Sequence, residues 1–272
     1  MEDFRHRVCV ITGAGSGIGQ ALALNLAREG GRLAISDINQ EAVVHTASLA
    51  RQRGAEVESY VLDVSSRGAV FAHADTVRER FGGVNLVINN AGVAVSKTVM
   101  DMPIDDIEWL MSINFWGVVY GTKAFLPALL ASGDGHLVNI SSVFGMIAVP
   151  TQAAYNAAKF AVRGFTEALR QEMLVAGSPV QVSCVHPGGI KTNIARSARS
   201  SDQTADELAE AFDKIARMTP ERAAEVILAG VRRNRARIFV GTDAKALDLM
   251  QRTLGSSYQQ LVYRAHSRVN PT

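Results

Sequence analysis

Short, uniformly apolar runs recur along the chain: Arg7–Thr12, Arg32–Ser36, Glu56–Leu62, Val84–Asn89, His136–Ser141 and Val180–Val185. Between them lie stretches with helical spacing of apolar residues: Ile18–Arg28, Gln40–Arg53, Arg67–Phe81, Asp105–Leu130 with an interruption near Asn114 and Gly117, and Gln152–Ala176. Strands of this length alternating with longer helices predict right-handed crossovers and a parallel sheet. Strands that are apolar throughout, rather than alternating, predict helices on both faces. Past Val185 the pattern weakens. Lys191–Met218 is polar and only partly helical, Pro220–Arg233 reads as a helix, Arg237–Val240 as a further strand and Ala244–Leu254 as an amphipathic helix. Residues 258–272 carry no readable pattern.

The sum is an α/β fold: a single doubly wound Rossmann-type domain of about seven parallel strands, with ligands expected beyond the carboxyl ends of the strands. No repeat or linker divides residues 1–272. The long polar stretch 191–218 is expected to be a substrate lid, because structureless loops of that length in compact domains usually serve a site. Residues 242–272 are expected to form a C-terminal extension.

Composition narrows the function. An apolar fraction of 47% suits a chain that can bury a full core. A formal net charge of +2, with Lys and Arg scattered, gives no surface for nucleic acid or an anionic membrane. Cys9 and Cys184 each sit in an apolar run, so both are expected as buried free thiols, as suits a reducing cytosol. The charged start MEDFRHR does not resemble a signal peptide and no run is apolar enough to span a membrane, so a cytoplasmic location is expected. The histidines His6, His45, His73, His136 and His266 show no metal-ligand spacing, and no metal is expected.

The strongest local signal is GAGSGIG, Gly13–Gly19, between the first strand and the first helix. Glycines there permit positive φ and close approach of backbone to a pyrophosphate, and the following helix start offers free N–H groups. Asp37 ends the second strand about 20 residues further on, where a carboxylate binds ribose hydroxyls and repels a 2′-phosphate. Ser16, Ile38 and Asn39 are uncharged and supply no phosphate clamp. NAD is therefore expected in preference to NADP. Tyr155 and Lys159 lie four apart in the Gln152–Ala176 helix, on one face, where an ammonium would favour the phenolate. Ser142 follows the preceding strand. Taken alone, the pair reads equally as a surface Tyr and a solvated Lys.

The series Thr12–Gly19 (T-G-x-x-x-G-x-G), Asp63-Val64, Asn89–Gly92 (N-N-A-G), Asn114, Ser142, Tyr155, Lys159 and Pro187-Gly188 resembles the short-chain dehydrogenase/reductase family, over about residues 7–195. The resemblance implies that Tyr155 is the catalytic acid/base and Ser142 polarises the substrate carbonyl, with Ser141 the competing serine. Lys159 would bind the nicotinamide ribose and lower the tyrosine pKa, and the backbone of Asn114 would hold a relay water. It further implies cofactor contacts from Gly13, Ser16, Gly17, Ile18, Gly19 and Asp37. Asp63 and Val64 would lie at the adenine, Asn90, Ala91 and Gly92 at the ribose and nicotinamide, and Pro187, Ile190 and Thr192 at the carboxamide, with Tyr155 and Lys159 shared. Asn156 and Ala158 depart from the serines often found between Tyr and Lys.

The expected activity is interconversion of a secondary alcohol and a ketone with NAD. An NADPH-dependent carbonyl reductase on the same scaffold, or a non-catalytic dinucleotide sensor or scaffold, is the alternative. Substrate choice is expected to rest on Ala94–Met102, Val143–Pro150 and the Ile190–Met218 stretch. The apolar Val95, Met100, Val143, Phe144, Met146, Ile147 and Val149 point to a moderately lipophilic small molecule. His186, just before the Pro-Gly turn, could cap its strand or touch substrate. Small residues Ala128, Ala131, Ala157 and Ala161 allow close helix approach, and pairing through these helices, as a homodimer or homotetramer, is what the family implies.

Overall fold

A computed structural model describes residues 1, 3–194, 198–200, 207, 210 and 216–269. The strands are β1 (Val8–Thr12), β2 (Arg32–Asp37), β3 (Val57–Val61), β4 (Leu86–Asn89), the short β5 (Val95–Ser96), β6 (His136–Ile140), β7 (Gln181–Pro187), the short β8 (Arg199–Ser200) and β9 (Arg237–Val240). The helices are α1 (Gly17–Arg28), α2 (Gln40–Arg51), α3 (Arg67–Phe81), α4 (Ile104–Met111), α5 (Gly117–Ala131), α6 (Ala153–Val175), α7 (Pro220–Arg232), α8 (Thr242–Leu254) and α9 (Tyr258–Val269).

Among the described residues, seven strands form one parallel sheet in the order β3-β2-β1-β4-β6-β7-β9. Successive side chains of a strand point to opposite faces, and here both faces are dry. In β1, Cys9 and Ile11 join a core with Leu22 and Leu26 of α1, Val43 of α2 and Ile227 of α7. Val8 and Val10 join the opposite core with Val77 of α3, Phe125 and Leu129 of α5 and Leu169 of α6. Fully burying each such Leu, Ile or Phe contributes about 1.5–3 kcal/mol. Every position of β1, β4 and β6 is buried, whereas β3, at the sheet edge, carries Glu58 and Ser59 and leaves Val61 exposed.

From β1 the sheet is wound one way through β2 and β3 and the other way through β4, β6, β7 and β9. The carboxyl ends of β1 and β4 therefore flank a topological switch point, where such sheets bind ligands. The chain enters α1 there.

The helix expected over Asp105–Leu130 is three pieces. A π-helical turn, Ser112–Trp116, separates α4 from α5, and its closing bond runs from the Gly117 N–H to the Ser112 carbonyl. One extra residue in the turn places Asn114 at the buried side of the helix. Such turns concentrate at functional sites.

The expected lid falls largely outside the described residues. Of its described parts, Ile190 bridges Met218 and the Lys191 N–H bonds the Met218 carbonyl at 2.9 Å, which closes the base of the excursion. Arg199 and Ser200 run parallel to Val95 and Ser96. The C-terminal stretch 258–272, patternless in sequence, carries α9, whose first residue accepts the Ala148 N–H on its Tyr258 hydroxyl at 2.9 Å.

Candidate active site

The glycine turn folds too closely on itself and on the end of β4 to carry side chains at Gly13 and Gly19. Gly13 and Gly17 have φ of 65° and 53°, in the region that favours glycine. A Cβ on Gly19 would stand 2.1 Å from the Gly13 carbonyl oxygen, and one on Gly13 would stand 2.7 Å from Cα of Ala91. Asn90 locks this turn to the end of β4: its Nδ2 donates to the carbonyls of Thr12 at 2.9 Å and Gly13 at 3.1 Å. The Thr12 hydroxyl in turn accepts the N–H groups of Asn90 and Ala91 at 3.0 and 3.1 Å. Ser16 stands exposed at the N-cap of α1 and makes no side-chain capping bond, so it does not consume the first-turn donors that an anion needs. Ile18 is half-buried one step inside. These features fit a dinucleotide pyrophosphate.

Asp37, at the tip of β2, accepts the Gly15 N–H at 2.8 Å and the Asn39 N–H at 2.9 Å. Its carboxylate thereby fixes the glycine turn and keeps lone pairs for further donors. Asp63 is exposed beyond β3 and accepts both the N–H and the hydroxyl of Ser65 at 2.9 and 2.7 Å. Val64 is buried, and it packs where a Cβ on Gly117 would stand, 2.9 Å from its Cγ2. Across the crevice, β7 ends at Pro187, Ile190 is buried, and Thr192 returns to the glycine turn: a Cβ on Gly17 would lie 3.1 Å from its Cγ2. The residues expected from sequence to hold the cofactor thus lie at or just beyond the carboxyl ends of β1, β2, β3, β4 and β7.

The residues expected to carry the chemistry lie where β6 and α6 converge. Lys159 is 3% exposed and donates from Nζ to the Ile140 carbonyl at 3.0 Å, with the Tyr155 ring centroid 5.5 Å away. Burial draws its pKa down to about 8. Tyr155 is half-buried by area and edge-on to Phe144, with ring centroids 6.2 Å apart. Burial pushes the phenol up to about 12, while the Ser142 hydroxyl pulls it the other way. Burial, not the neighbouring ammonium, is the largest influence on the phenol here.

Ser142 has extended backbone, and its Oγ accepts the Phe144 N–H at 3.1 Å. That contact uses the acceptor side of the hydroxyl and leaves its proton to be donated. Ser141 is different: its hydroxyl donates to the Lys159 carbonyl at 2.8 Å and is committed to holding α6. Asn114, fully buried in the π turn, clamps both polar groups of Val93, accepting its N–H and donating to its carbonyl, each at 2.8 Å. Gly92 lies between them: a Cβ there would stand 3.2 Å from Oδ1 of Asn114 and 3.6 Å from Nζ of Lys159. Behind the site, Asn89 donates to Asn139 at 2.8 Å and Asn139 donates to Thr166 at 3.0 Å, joining β4, β6 and α6 by buried bonds.

Four of the apolar residues expected to face substrate are buried in the chain's own core. Val95 is buried against Met102 and Leu110, and Val143 and Met146 pack with Ala244 of α8. Ile147 is buried too, its carbonyl accepting from Asn156 at 3.1 Å. Runs of apolar residues in a loop serve a core as readily as a ligand, and here α8 packs on Val143 and Met146. Phe144 keeps its place beside Tyr155, and Met100 is exposed.

Some contributors carry no signal in the sequence. Asp243, at the start of α8, accepts the Gly189 N–H at 2.7 Å and fills the space a Cβ on Gly188 would need. Thr12 is the hinge between two cofactor loops, although only its place in the glycine motif hints at it. Among the described residues, no group of His, Cys, Asp or Glu could hold a metal ion, and no helix is long and apolar enough to cross a membrane.

Comparison with known proteins agrees with this layout. The chain is 57% identical over 264 residues, 96% of each sequence, to the "Putative oxidoreductase SadH" of Mycobacterium tuberculosis. It is 31% identical over 258 residues, 94% of this chain and 83% of the other, to estradiol 17-beta-dehydrogenase 11 of Rattus norvegicus. A short chain dehydrogenase/reductase from Burkholderia phymatum, crystallised in complex with NAD, superposes with a TM-score of 0.87 at 30% identity, covering 93% of this chain and 95% of that one. Residues 7–203 match the family model for short chain dehydrogenases, a span that runs from the first strand through the glycine turn, Ser142, Tyr155 and Lys159 to Thr192. The chain belongs to the short-chain dehydrogenase/reductase family of oxidoreductases.

Proposed function

We propose that this oxidoreductase interconverts a secondary alcohol and a ketone of a moderately lipophilic small molecule with NAD as cofactor. The observation that carries the proposal is the placement of Tyr155 and Lys159 one turn apart on α6, with the lysine Nζ 5.5 Å from the phenol ring, the Ser142 hydroxyl acting on the phenol, and Gly92 3.6 Å (by a would-be Cβ) from the ammonium. When bound, the nicotinamide supplies the hydride acceptor or donor. Every other part of the step falls to side chains. Ser142, its acceptor side taken by Phe144, donates to the substrate oxygen and fixes it beside the phenol. Tyr155 takes the hydroxyl proton during oxidation and returns it during reduction. Lys159, held against Ile140 within a turn of the phenol, stabilises the phenolate as it forms. Gly13, Gly17 and Gly19 would hold the pyrophosphate, and Asp37 the adenosine ribose.

NAD over NADP is supported by the Asp37 carboxylate at the ribose position and by NAD in the Burkholderia structure. A lipophilic substrate is supported by Phe144 at the phenol and by a relative named for estradiol. Two buried free thiols, Cys9 and Cys184, suit a cytoplasmic protein. Assembly through α5 and α6 is supported by exposed Leu130 and Phe160 on those helices and by exposed Trp116 in the turn that leads into α5. Only 29.2 kDa particles in solution would remove that part.

The test of the activity is a screen of secondary alcohols and ketones followed by NADH absorbance, with Tyr155→Phe as the blank. Turnover of apolar alcohols that vanishes in the blank supports the proposal. Turnover of polyols alone refutes the substrate class, NADP-only turnover refutes the cofactor, and a Tyr155→Phe protein as active as wild type refutes the chemistry.

A further inference from the structure

We infer that His186 is a positioning residue of this site: it holds the backbone of Ser142 so that the serine hydroxyl meets Tyr155 in one orientation. The inference rests on the reading of Ser142 and Tyr155 given above and extends it to a residue outside the family motif.

His186 is the penultimate residue of β7, and it is fully buried. The parallel register of β6 and β7 pairs Ile140 with Val185, and the Ser141 N–H bonds the Val185 carbonyl at 2.8 Å. His186 is therefore level with Ser141, one residue before Ser142, as the chain leaves β6. Its Nδ1 lies 3.0 Å from the Ser142 carbonyl oxygen. A carbonyl only accepts, so Nδ1 carries the proton and the tautomer is fixed by its partner. The ring cannot swing away: it stacks on Phe239, its register partner on β9, with centroids 5.6 Å apart and planes 28° from parallel.

The Ser142 carbonyl also accepts the Gly145 N–H at 3.0 Å, so both of its lone pairs are used. At the same residue, Oγ accepts the Phe144 N–H. Ser142 is thus held at its carbonyl from β7 and from the turn, and at its hydroxyl from the turn alone. The turn residues hold it only locally, since Gly145 and Phe144 move with it. His186 is the contact that ties it to the sheet. Burial draws the imidazole down to about 4, so it stays neutral throughout the range in which the enzyme would work. A one-proton donor of constant charge is what a positional support requires.

The test compares His186→Leu with His186→Asn in the full chain. The two residues are of similar size and both lose the stack on Phe239, but only Asn can donate an N–H close to the position of Nδ1. Expected for Leu is a loss in kcat of about tenfold to a hundredfold, the scale of a small misplacement at a reacting centre, with NAD affinity unchanged. Because Ser142 pulls the Tyr155 pKa down, loosening the serine also moves the alkaline limb of the kcat pH profile upward in Leu. Asn recovers most of the lost kcat and restores the limb. The same comparison is made without turnover, by following the 13Cζ resonance of Tyr155 against pH in the NAD complex and assigning it with Tyr155→Phe. Leu and Asn proteins that agree in kcat and in phenol titration overturn the inference, whatever their melting temperatures. A titration that shifts in Leu and returns in Asn, in a protein without alcohol turnover, supports the positioning role and instead overturns the proposed activity.

Discussion

Lys159 sits one helical turn from Tyr155 with its ammonium 5.5 Å from the ring centroid, yet its hydrogen bond goes to the Ile140 carbonyl and not to the phenol. The lysine is therefore held as a buried charge beside the reacting group, and burying a charge is unfavourable unless it is fully partnered. The same helix that presents the chemistry carries the penalty for it.

That penalty is measurable. The Lys159 pKa falls from 10.5 to about 8, a gap of about 3 kcal/mol at roughly 1.4 kcal/mol per unit. The unfolded chain binds the extra proton between about pH 8 and 10.5, so stability rises with pH across that window and the full penalty applies below it. Lys159→Met should accordingly be more stable than wild type at pH 7, by about 2 kcal/mol after about 1 kcal/mol is deducted for the lost bond to Ile140. The difference should shrink as pH rises from 8 to 9.5. Urea unfolding at several pH values checks this, and a difference independent of pH would sink it. The variant should also lose alcohol oxidation, since residues of a site commonly trade stability for function.

Tyr155→Phe removes one oxygen and leaves the ring that meets Phe144 edge-on. Stability and NAD affinity should change little, while kcat falls by about 100- to 10,000-fold, the range of a positioned acid or base. Burial holds the wild-type phenol near 12 before any help from a bound cofactor, so oxidation should speed up as pH rises through the neutral and mildly alkaline range. Fluorescence titration with NAD and initial rates from pH 6 to 10 separate these effects. A rate that falls with pH over this span contradicts Tyr155 as the base for oxidation.

Asp37 has a structural duty, binding Gly15 and Asn39, beside the ribose contact proposed for it. Asp37→Ala would loosen the glycine turn and weaken both dinucleotides together. Asp37→Asn keeps an acceptor for the turn and removes the charge, so the ratio of NADP to NAD in kcat/KM should rise by at least about tenfold, the effect of removing about 1.4 kcal/mol of like-charge repulsion. An unchanged ratio in Asn means that specificity is set elsewhere.

Much of this was legible in the sequence because it depends on local pattern. β1, β2, β4, β6 and β7 announce themselves as apolar runs, as a strand covered on both faces must, and Gly13–Gly19 is a backbone requirement that only glycine meets. The motif spacing brought Tyr155, Lys159, Ser142 and Asn114 to one place because the strands and helices between them are regular. Three kinds of feature were not legible. The π turn at Ser112–Trp116 differs from an α-helix by a single shifted hydrogen bond, which side-chain periodicity does not encode. Asp243 and Tyr258 act on Gly189 and Ala148 from far along the chain, and neither carries a motif. Val143, Met146 and Ile147 looked like a substrate wall because composition reports that a loop is apolar, not whether α8 or a ligand covers it.

Asp106 on α4 splits its carboxylate between Lys97 at 2.7 Å and Arg199 at 2.8 Å, and the Arg199 guanidinium lies 3.6 Å over the Trp109 ring. Trp109 and Tyr155 pack against the same small core, so this latch fixes the β5–β8 ribbon next to the phenol. Arg199→Ala should raise KM for the alcohol several-fold and leave NAD affinity alone, because Arg199 touches neither the glycine turn nor Asp37. Asp106→Asn should lower the melting temperature more than Arg199→Ala does, because it leaves two cations facing each other without their shared partner. The bonds from Lys97 and then Arg199 hold the Asp106 carboxyl below its usual range. Its contribution is therefore present above about pH 4 and lost as pH falls below that, through the lowered folded value. Melting curves of wild type and Asp106→Asn should converge towards pH 3 and separate above pH 5. Curves that stay equally far apart at both ends would mean that the carboxylate charge contributes nothing to the latch.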